Sequence, residues 1–391
     1  MKKILIAETI DWNSSVQIGS HHYARHFLEH GDEVLWVSQY IHPLSFLTGC
    51  RERTKYAFSL SRGARSSEHE RLSLYVPFTI LPCRRHWLFD SKVVGKLSLY
   101  CTFPSVKSVL TRLGFDKVDV VWISNPLFAE IANIVKHDVL VFRVNDLYAG
   151  FRGMPSCIEE FEKALIKSAD LVFVTSKVLA KHVENLGGKG IYLPNGAEVE
   201  HFLSPMPLPA DYLGIPPPRA VYAGAIERWF DTDLVASIAR DLPDMSFVLI
   251  GRCEGVENSV FSSMPNVYLL GPKPYKELPG YYQHADVGII PFKVNEFTAA
   301  INPNKLYEYF SAGLPVVSTY LPEVEPLKPL VKIAQDSKEF AAFLREALEE
   351  EKNSLREERI QCAKSNSWKA RFDEAMAYIS DLLSSRNTGA A

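Results

Sequence analysis

FTAAINPNKLYEYFSAGLPVVST, residues 297–319, reads as loop, short helix, turn and strand. Pro303 suits the first helical turn, where a missing N–H costs nothing. Gly313 suits the left-handed position just past the helix, and Pro315 bars further helix. Val316-Val317-Ser318-Thr319 then forms a short buried strand. Lys305 and Glu308 stand three apart, so they share one helix face. At the mouth of an α/β sheet, the cation would meet phosphate oxygens through charge-assisted hydrogen bonds. The carboxylate would accept from sugar hydroxyls, as acidic residues do in dinucleotide folds. The same spacing also serves a plain surface ion pair on an amphipathic helix.

Upstream, 275–284 reads as a helix and 287–291 as a strand leading into this stretch. A second α/β unit begins at Ala220 with strand AVYAGAI, a helix from Asp231, and strands SFVLIG and NVYLLG. Ahead of it, 204–219, SPMPLPADYLGIPPPR, reads as a stiff interdomain linker. Downstream, 339–351 is a charged helix, 367–383 the final helix, and the tail SSRNTGAA disordered.

The first half alternates in the same way. Residues 3–7, 34–38, 118–124, 140–144, 171–175 and 191–193 read as strands. Helices span 21–30 and 156–168, with another running on to Leu186. Nearly continuous apolar strands between helices mean a parallel, doubly wound sheet. The Gly19-Ser20 turn opens the first helix at a strand's carboxyl end, where such sheets bind ligands. His21 and His22 sit there; one reads as a packed or capping residue, the other as facing the ligand.

Residues 39–115 differ. Basic residues (Arg53, Lys55, Arg84, Arg85, Lys92 and Lys96 among them) outnumber acidic ones, with Phe46, Leu47, Trp87, Leu88 and Tyr100 interspersed. That mixture fits a membrane-surface patch; it also fits a long insertion with a solvated basic face.

The chain has 391 residues, enough for two or three domains. Its net charge of −3 argues against a nucleic-acid binder. Six scattered cysteines without a CxxC pair fit a reducing compartment, with neither a zinc site nor a disulfide frame. The apolar run at the N-terminus is too short for a signal peptide, and Glu8 and Asp11 break it. No apolar run approaches the ~18 residues of a membrane span. Asp231-Thr232-Asp233 has the form of a metal-holding DxD, but Asp231 heads a helix and reads as its N-cap.

Several local patterns coincide with a known family. LPNGAEVEHF (193–202) resembles the PNG turn that closes the first domain of GT-B glycosyltransferases. HADVGIIPF (284–292) with PNKLYEYFSAGLPVVST resembles their donor-binding region, and SWKARF (367–372) the helix that crosses back to the first domain. IDWNSSVQIGSHHYA, FRVNDL, YAGAIERWFD and NKLYEYFSAGLP are similar to the bacterial glucuronosyltransferases of xanthan-type polysaccharide assembly. More distant relatives are the retaining family 4 (group 1) enzymes. Their pattern places a Glu eight residues before a second Glu, where this chain has Ala300 before Glu308.

The resemblance implies a GT-B architecture: two Rossmann-like domains facing a cleft, residues 1–203 with a returning helix at about 372–386, and residues 204–371. It implies an inverting, metal-independent transferase without a cofactor. The enzyme would lie on the cytoplasmic face of the plasma membrane and move a sugar, glucuronate in the family, from a UDP-sugar to a lipid-linked glycan. Asp146 would be the base, with Asp11 in reserve. Lys305, Glu308, Asn304, Ile226, Arg228, Gly251, Arg252 and Phe292 would line the donor side. Asp11, Gly19, His21 and His22 would line the acceptor side. The family's known member carries Gln at the position of Glu308, and Pro272-Lys273 departs from its base-binding loop. Alternatives are a retaining transferase, a sugar-nucleotide 2-epimerase, and a non-catalytic nucleotide-sugar sensor.

Overall fold

The computed structural model describes residues 1–48, 51–151, 153–253, 258–349 and 355–389. Cys50 and the last two residues of the helix expected at 339–351 lie outside these. The chain divides into two units, Met1–Leu193 with Phe372–Ala391, and Pro194–Arg371.

Unit 1 holds an eight-stranded sheet in the order β3-β4-β2-β1-β5-β6-β7-β8. The strands are β1 Lys3–Ala7, β2 Glu33–Val37, β3 Ala64–Arg65, β4 Leu72–Tyr75, β5 Lys117–Ile123, β6 Lys136–Val144, β7 Leu171–Val174 and β8 Ile191–Tyr192. All neighbours pair in parallel except β3 with β4. Helices on both faces bury the apolar strands, as a parallel sheet requires. Their ends follow local chemistry. Ser176 accepts from the Leu179 N–H at 3.1 Å and starts helix Lys177–Asn185. Helix Ile158–Ser168 carries Glu159 and Glu160 in its first turn and Lys167 in its last, complementing its dipole.

Unit 2 holds a six-stranded, all-parallel sheet in the order β11-β10-β9-β12-β13-β14. Its strands are β9 Arg219–Ala223, β10 Ser246–Ile250, β11 Val267–Gly271, β12 Val287–Ile290, β13 Val316–Thr319 and β14 Val331–Ala334. Both sheets are doubly wound, as the alternation of elements indicated.

Four expectations change. The proline-rich segment is no free linker, because the units divide at 193/194 rather than 203/204. Phe202 is fully buried and stacks on Tyr282 at 5.4 Å; Tyr212 is buried under the Arg219 guanidinium at 4.6 Å. Apolar burial therefore draws 194–218 into unit 2. The segment 39–115 is not one insertion, since β4 is buried and extends the sheet beside β2. Pro303 caps helix Asn304–Ser311 from outside instead of opening its first turn. The tail is helical through Gly389, and Arg386 pairs with Asp170.

The carboxyl edge of unit 2 depends on two glycines. Gly224 and Gly251 adopt φ of +151° and +149°. A Cβ on Gly251 would stand 1.9 Å from the Gly224 carbonyl oxygen. Gly251→Ala is therefore expected to destabilise unit 2 by about 2–4 kcal/mol, combining backbone strain and overpacking. Urea unfolding measures it; an unchanged midpoint would contradict the close approach.

Candidate functional site

In unit 2, helix Asn304–Ser311 sets Lys305 at the carboxyl ends of β9 and β12. Its ammonium lies 5.1 Å from the Tyr222 ring centre and 4.8 Å from that of Phe292. Gly224 makes this possible, because a Cβ there would stand 3.2 Å from Lys305 Cε. Burial lowers the Lys305 pKa, and Glu308 opposes that shift. Burial raises the Glu308 pKa, and Lys305 opposes it. Tyr282 donates to Glu308 Oε2 at 3.0 Å. Both groups are thus half-buried, and Tyr282 holds the carboxylate, unlike the freely solvated groups of a surface ion pair. Asn304 Oδ1 is buried without a hydrogen-bond partner among the described residues, a group suited to a ligand's donor.

The other residues expected on the donor side gather at strand ends of the same unit. Ile226 is fully buried and donates its N–H to the Arg252 carbonyl at 2.9 Å. Gly251 forms the turn just before Arg252, whose side chain is exposed. Arg228 is exposed, with its guanidinium 4.2 Å from the Phe297 ring centre. Asp231 accepts from the Leu234 N–H at 3.0 Å and caps helix Thr232–Asp241.

In unit 1, Asp146 follows β6 at the carboxyl edge. Part of its surface stays open, yet protein surrounds the carboxyl closely. Burial pushes its pKa up to about 7; Arg143 pulls it down and Glu8 pushes it up. A carboxylate with that proton affinity is a competent base near neutral pH. Asp11 instead pairs with Arg53, Oδ2 to Nε at 2.7 Å.

Gly19 is the first residue of helix Gly19–Glu29, and it is buried. His21 and His22 are both buried, so neither stands exposed to a ligand. His21 packs between Trp36 at 4.5 Å and Trp12 at 5.6 Å. Its Nδ1 accepts from the Ile18 N–H at 3.3 Å, which assigns the proton to Nε2, 3.2 Å from the Asp11 carbonyl. Burial drives its pKa down to about 3, so it is neutral.

Sequence reasoning missed Glu8, Arg143, Tyr148, Tyr282 and Glu198. Tyr282 stood in the quoted motif GYYQHADVGIIPF; Glu198, which raises the Glu308 pKa, stood in LPNGAEVEHF. The acidic residue directly after β1 was the available signal for Glu8.

Comparison with known proteins follows the same division. Residues 7–175 match the family described as glucuronosyltransferase GumK, N-terminal domain. Residues 218–350 match glycosyl transferases group 1. TuaH of Bacillus subtilis (strain 168), named as a teichuronic acid biosynthesis glycosyltransferase, is 27% identical over 280 residues, covering 66% of this chain and 70% of TuaH. Sucrose-phosphate synthase from Thermosynechococcus elongatus shares the fold at a TM-score of 0.72 and 14% identity, over 98% of this chain and all of that one. Anabaena HepE, solved with UDP and glucose, does so at 0.70 and 14%, over 97% of this chain and 100% of HepE.

The Asp146 environment has a consequence for stability. Folded Asp146 keeps its proton to about pH 7, whereas an unfolded Asp releases it near pH 3.9. Between those values the folded chain binds more protons, so this residue's contribution to stability falls as pH rises. Asp146→Asn removes that titration. Urea unfolding should find the variant more stable than the natural chain at pH 8, by on the order of 1–4 kcal/mol, with the gap closing towards pH 4. A gap independent of pH would contradict the raised proton affinity.

Proposed function

We propose that this chain, a GT-B glycosyltransferase related to the GumK type and dependent on a nucleotide sugar, is an inverting transferase acting on a lipid-linked glycan, with a UDP-sugar as donor and Asp146 as base. The observation that carries this reading is the half-buried Lys305 ammonium at the carboxyl edge of the unit that matches glycosyl transferases group 1. A fixed cation there stabilises a diphosphate as it leaves and gains charge. The start of the Lys305 helix adds backbone N–H groups with the same preference. The acceptor hydroxyl gives its proton to Asp146 while its oxygen attacks the anomeric carbon. The bond from that carbon to the diphosphate breaks, and the nucleoside diphosphate departs with the electron pair. Lys305 and the helix dipole supply the electrostatic stabilisation, so the transfer needs no metal. The donor sugar is glucuronate on the likeness to the GumK family.

Lys305→Ala should weaken nucleotide-diphosphate binding about 10- to 100-fold, the effect of one charged hydrogen bond. Asp146→Asn should leave that affinity intact while turnover falls ~10²–10⁴-fold. Calorimetry and a transfer assay on each variant, with and without EDTA, test both. Full activity in Asp146→Asn overturns the base, and loss of activity in EDTA restored by magnesium overturns the metal-free route. A retained anomeric configuration, read by NMR, overturns inversion.

An exposed apolar surface on unit 1 supports a membrane-bound acceptor. Trp87, Leu47, Phe103, Ile80 and Val93 are 84%, 82%, 75%, 66% and 66% exposed, with Arg85, Lys92 and Lys96 exposed nearby. Amphipathic surfaces of this kind lie in the headgroup region of anionic bilayers. Among the described residues, no helix is long and apolar enough to cross a membrane. Co-sedimentation with phosphatidylserine vesicles is expected at low salt, weakening as salt screens charge beyond ~10 Å and on Trp87→Ser. No binding at low salt would remove the membrane from the proposal.

A further inference from the structure

Tyr282 takes no part in the transfer as described, yet its hydroxyl is fixed on the site. It belongs to helix Leu278–Gln283 and is 1% exposed. Its ring stacks on Phe202 at 5.4 Å and meets Tyr309 edge-on at 4.9 Å. Tyr309 is itself pinned, because its hydroxyl donates to the Val221 carbonyl and accepts from the Ala223 N–H, both at 3.2 Å. Gly288 leaves room for that ring, since a Cβ there would stand 2.5 Å from it. Walled by two rings, Tyr282 donates to Glu308 Oε2 at 3.0 Å. Burial holds its proton far more tightly than in an ordinary tyrosine, so it stays a donor. One oxygen of the half-buried Glu308 carboxyl is thus tied down. The other, Oε1, accepts no hydrogen bond from the described residues.

We propose that Tyr282 is a positioning residue: it turns the free oxygen of Glu308 towards a ribose hydroxyl of the donor and so gives the site a preference for ribonucleotides. The proposal rests on the donor's diphosphate lying at Lys305. Lys305 and Glu308 stand one turn apart on one helix face, about 5–6 Å between Cβ atoms. In a nucleoside diphosphate a single methylene separates the diphosphate oxygen from the ribose ring. A ligand held at Lys305 therefore brings its ribose to the neighbouring turn. A ribose hydroxyl both donates and accepts. The contact thus forms whether the carboxyl, whose proton affinity burial raises, is ionised or protonated. What it needs is direction. Immobilising a free glutamate side chain on binding costs affinity, and Tyr282 has fixed this one before the ligand arrives. A buried tyrosine hydroxyl also needs a partner for its own sake. The two roles differ in what loss of the hydroxyl does to the choice of ligand.

The test is calorimetric affinity for UDP, for dideoxy-UDP, which lacks both ribose hydroxyls, and for pyrophosphate. It is run on the natural chain, Tyr282→Phe, Phe202→Leu and Glu308→Ala. The natural chain should prefer UDP to dideoxy-UDP about 10-fold or more, and Glu308→Ala should abolish that preference. Tyr282→Phe keeps the ring and removes the hydroxyl. The preference should shrink about 2- to 10-fold, with dideoxy-UDP and pyrophosphate bound as before. Phe202→Leu loosens the Tyr282 ring and should shrink the preference by less. An unchanged preference in Tyr282→Phe overturns the proposal; if that variant does not fold, an unchanged preference in Phe202→Leu does so. An equal loss for all three probes also overturns it, because a purely structural Tyr282 would weaken them alike. If the natural chain shows no preference, or Glu308→Ala keeps it, the ribose contact falls and the proposal with it, while Lys305 keeps its role. Absence of UDP binding by the natural chain would instead overturn the donor assignment itself.

Discussion

Burial of charge at the carboxyl edges of the two sheets is the constraint from which the site's geometry follows. Lys305 and Glu308 illustrate it within unit 2. Each loses hydration, which moves the lysine down and the glutamate up, and each offsets part of the other's loss. Partly buried charges of this kind are costly unless neighbouring groups compensate them. What holds them is the surrounding framework. Gly224 opens the space for the lysine stem, Tyr222 and Phe292 wall it, and Tyr282 fixes the carboxylate. A ligand carrying negative charge would replace the hydration that Lys305 lacks, so a half-dehydrated cation is already prepared for a diphosphate.

Much of this architecture was legible in the chain. Strands β1, β9, β10, β12 and β13 are short apolar runs bounded by Gly, Pro or polar residues, and their length and boundaries mark them. The Lys305 helix was legible because Gly313 and Pro315 punctuate it. β4 was not, since Leu72–Tyr75 is four residues following the polar run RSSEHER, and only its partner β2 makes it a strand. The unit boundary was misread for a similar reason. Proline density signals stiffness, but Phe202 and Tyr212 decide where 194–218 packs. Of His21 and His22, one was read as packed and the other as ligand-facing; both are buried, and two tryptophans that the fold brings beside His21 make it part of the core. Asp146 was legible from its place after a strand. Its altered proton affinity was not, because burial, the main cause, arises only once the chain is folded around it.

Lys305 at one edge and Asp146 at the other differ in the charge they offer, and the proposed transfer explains the difference. A leaving diphosphate becomes more negative, so its side needs a fixed cation with few competing waters; unit 2 supplies Lys305. An acceptor hydroxyl becomes more negative only after it loses a proton, so its side needs a base that ionises near neutrality. A lone Asp beside Arg143 would ionise readily but bind a proton too weakly. A lone buried Asp would hold its proton too tightly. Burial raises the proton affinity of Asp146 and Arg143 offsets part of the rise, which places it between these limits. Such a balance holds only if Arg143 and Asp146 keep their separation, because Coulomb interactions change steeply at short range in a low-dielectric interior. Ser20, Ser124, Trp122 and Tyr148 are hydrogen-bonded into one set beneath Asp146. In the proposed transfer this network would keep Arg143 and Asp146 at a fixed separation, as a base of intermediate proton affinity requires.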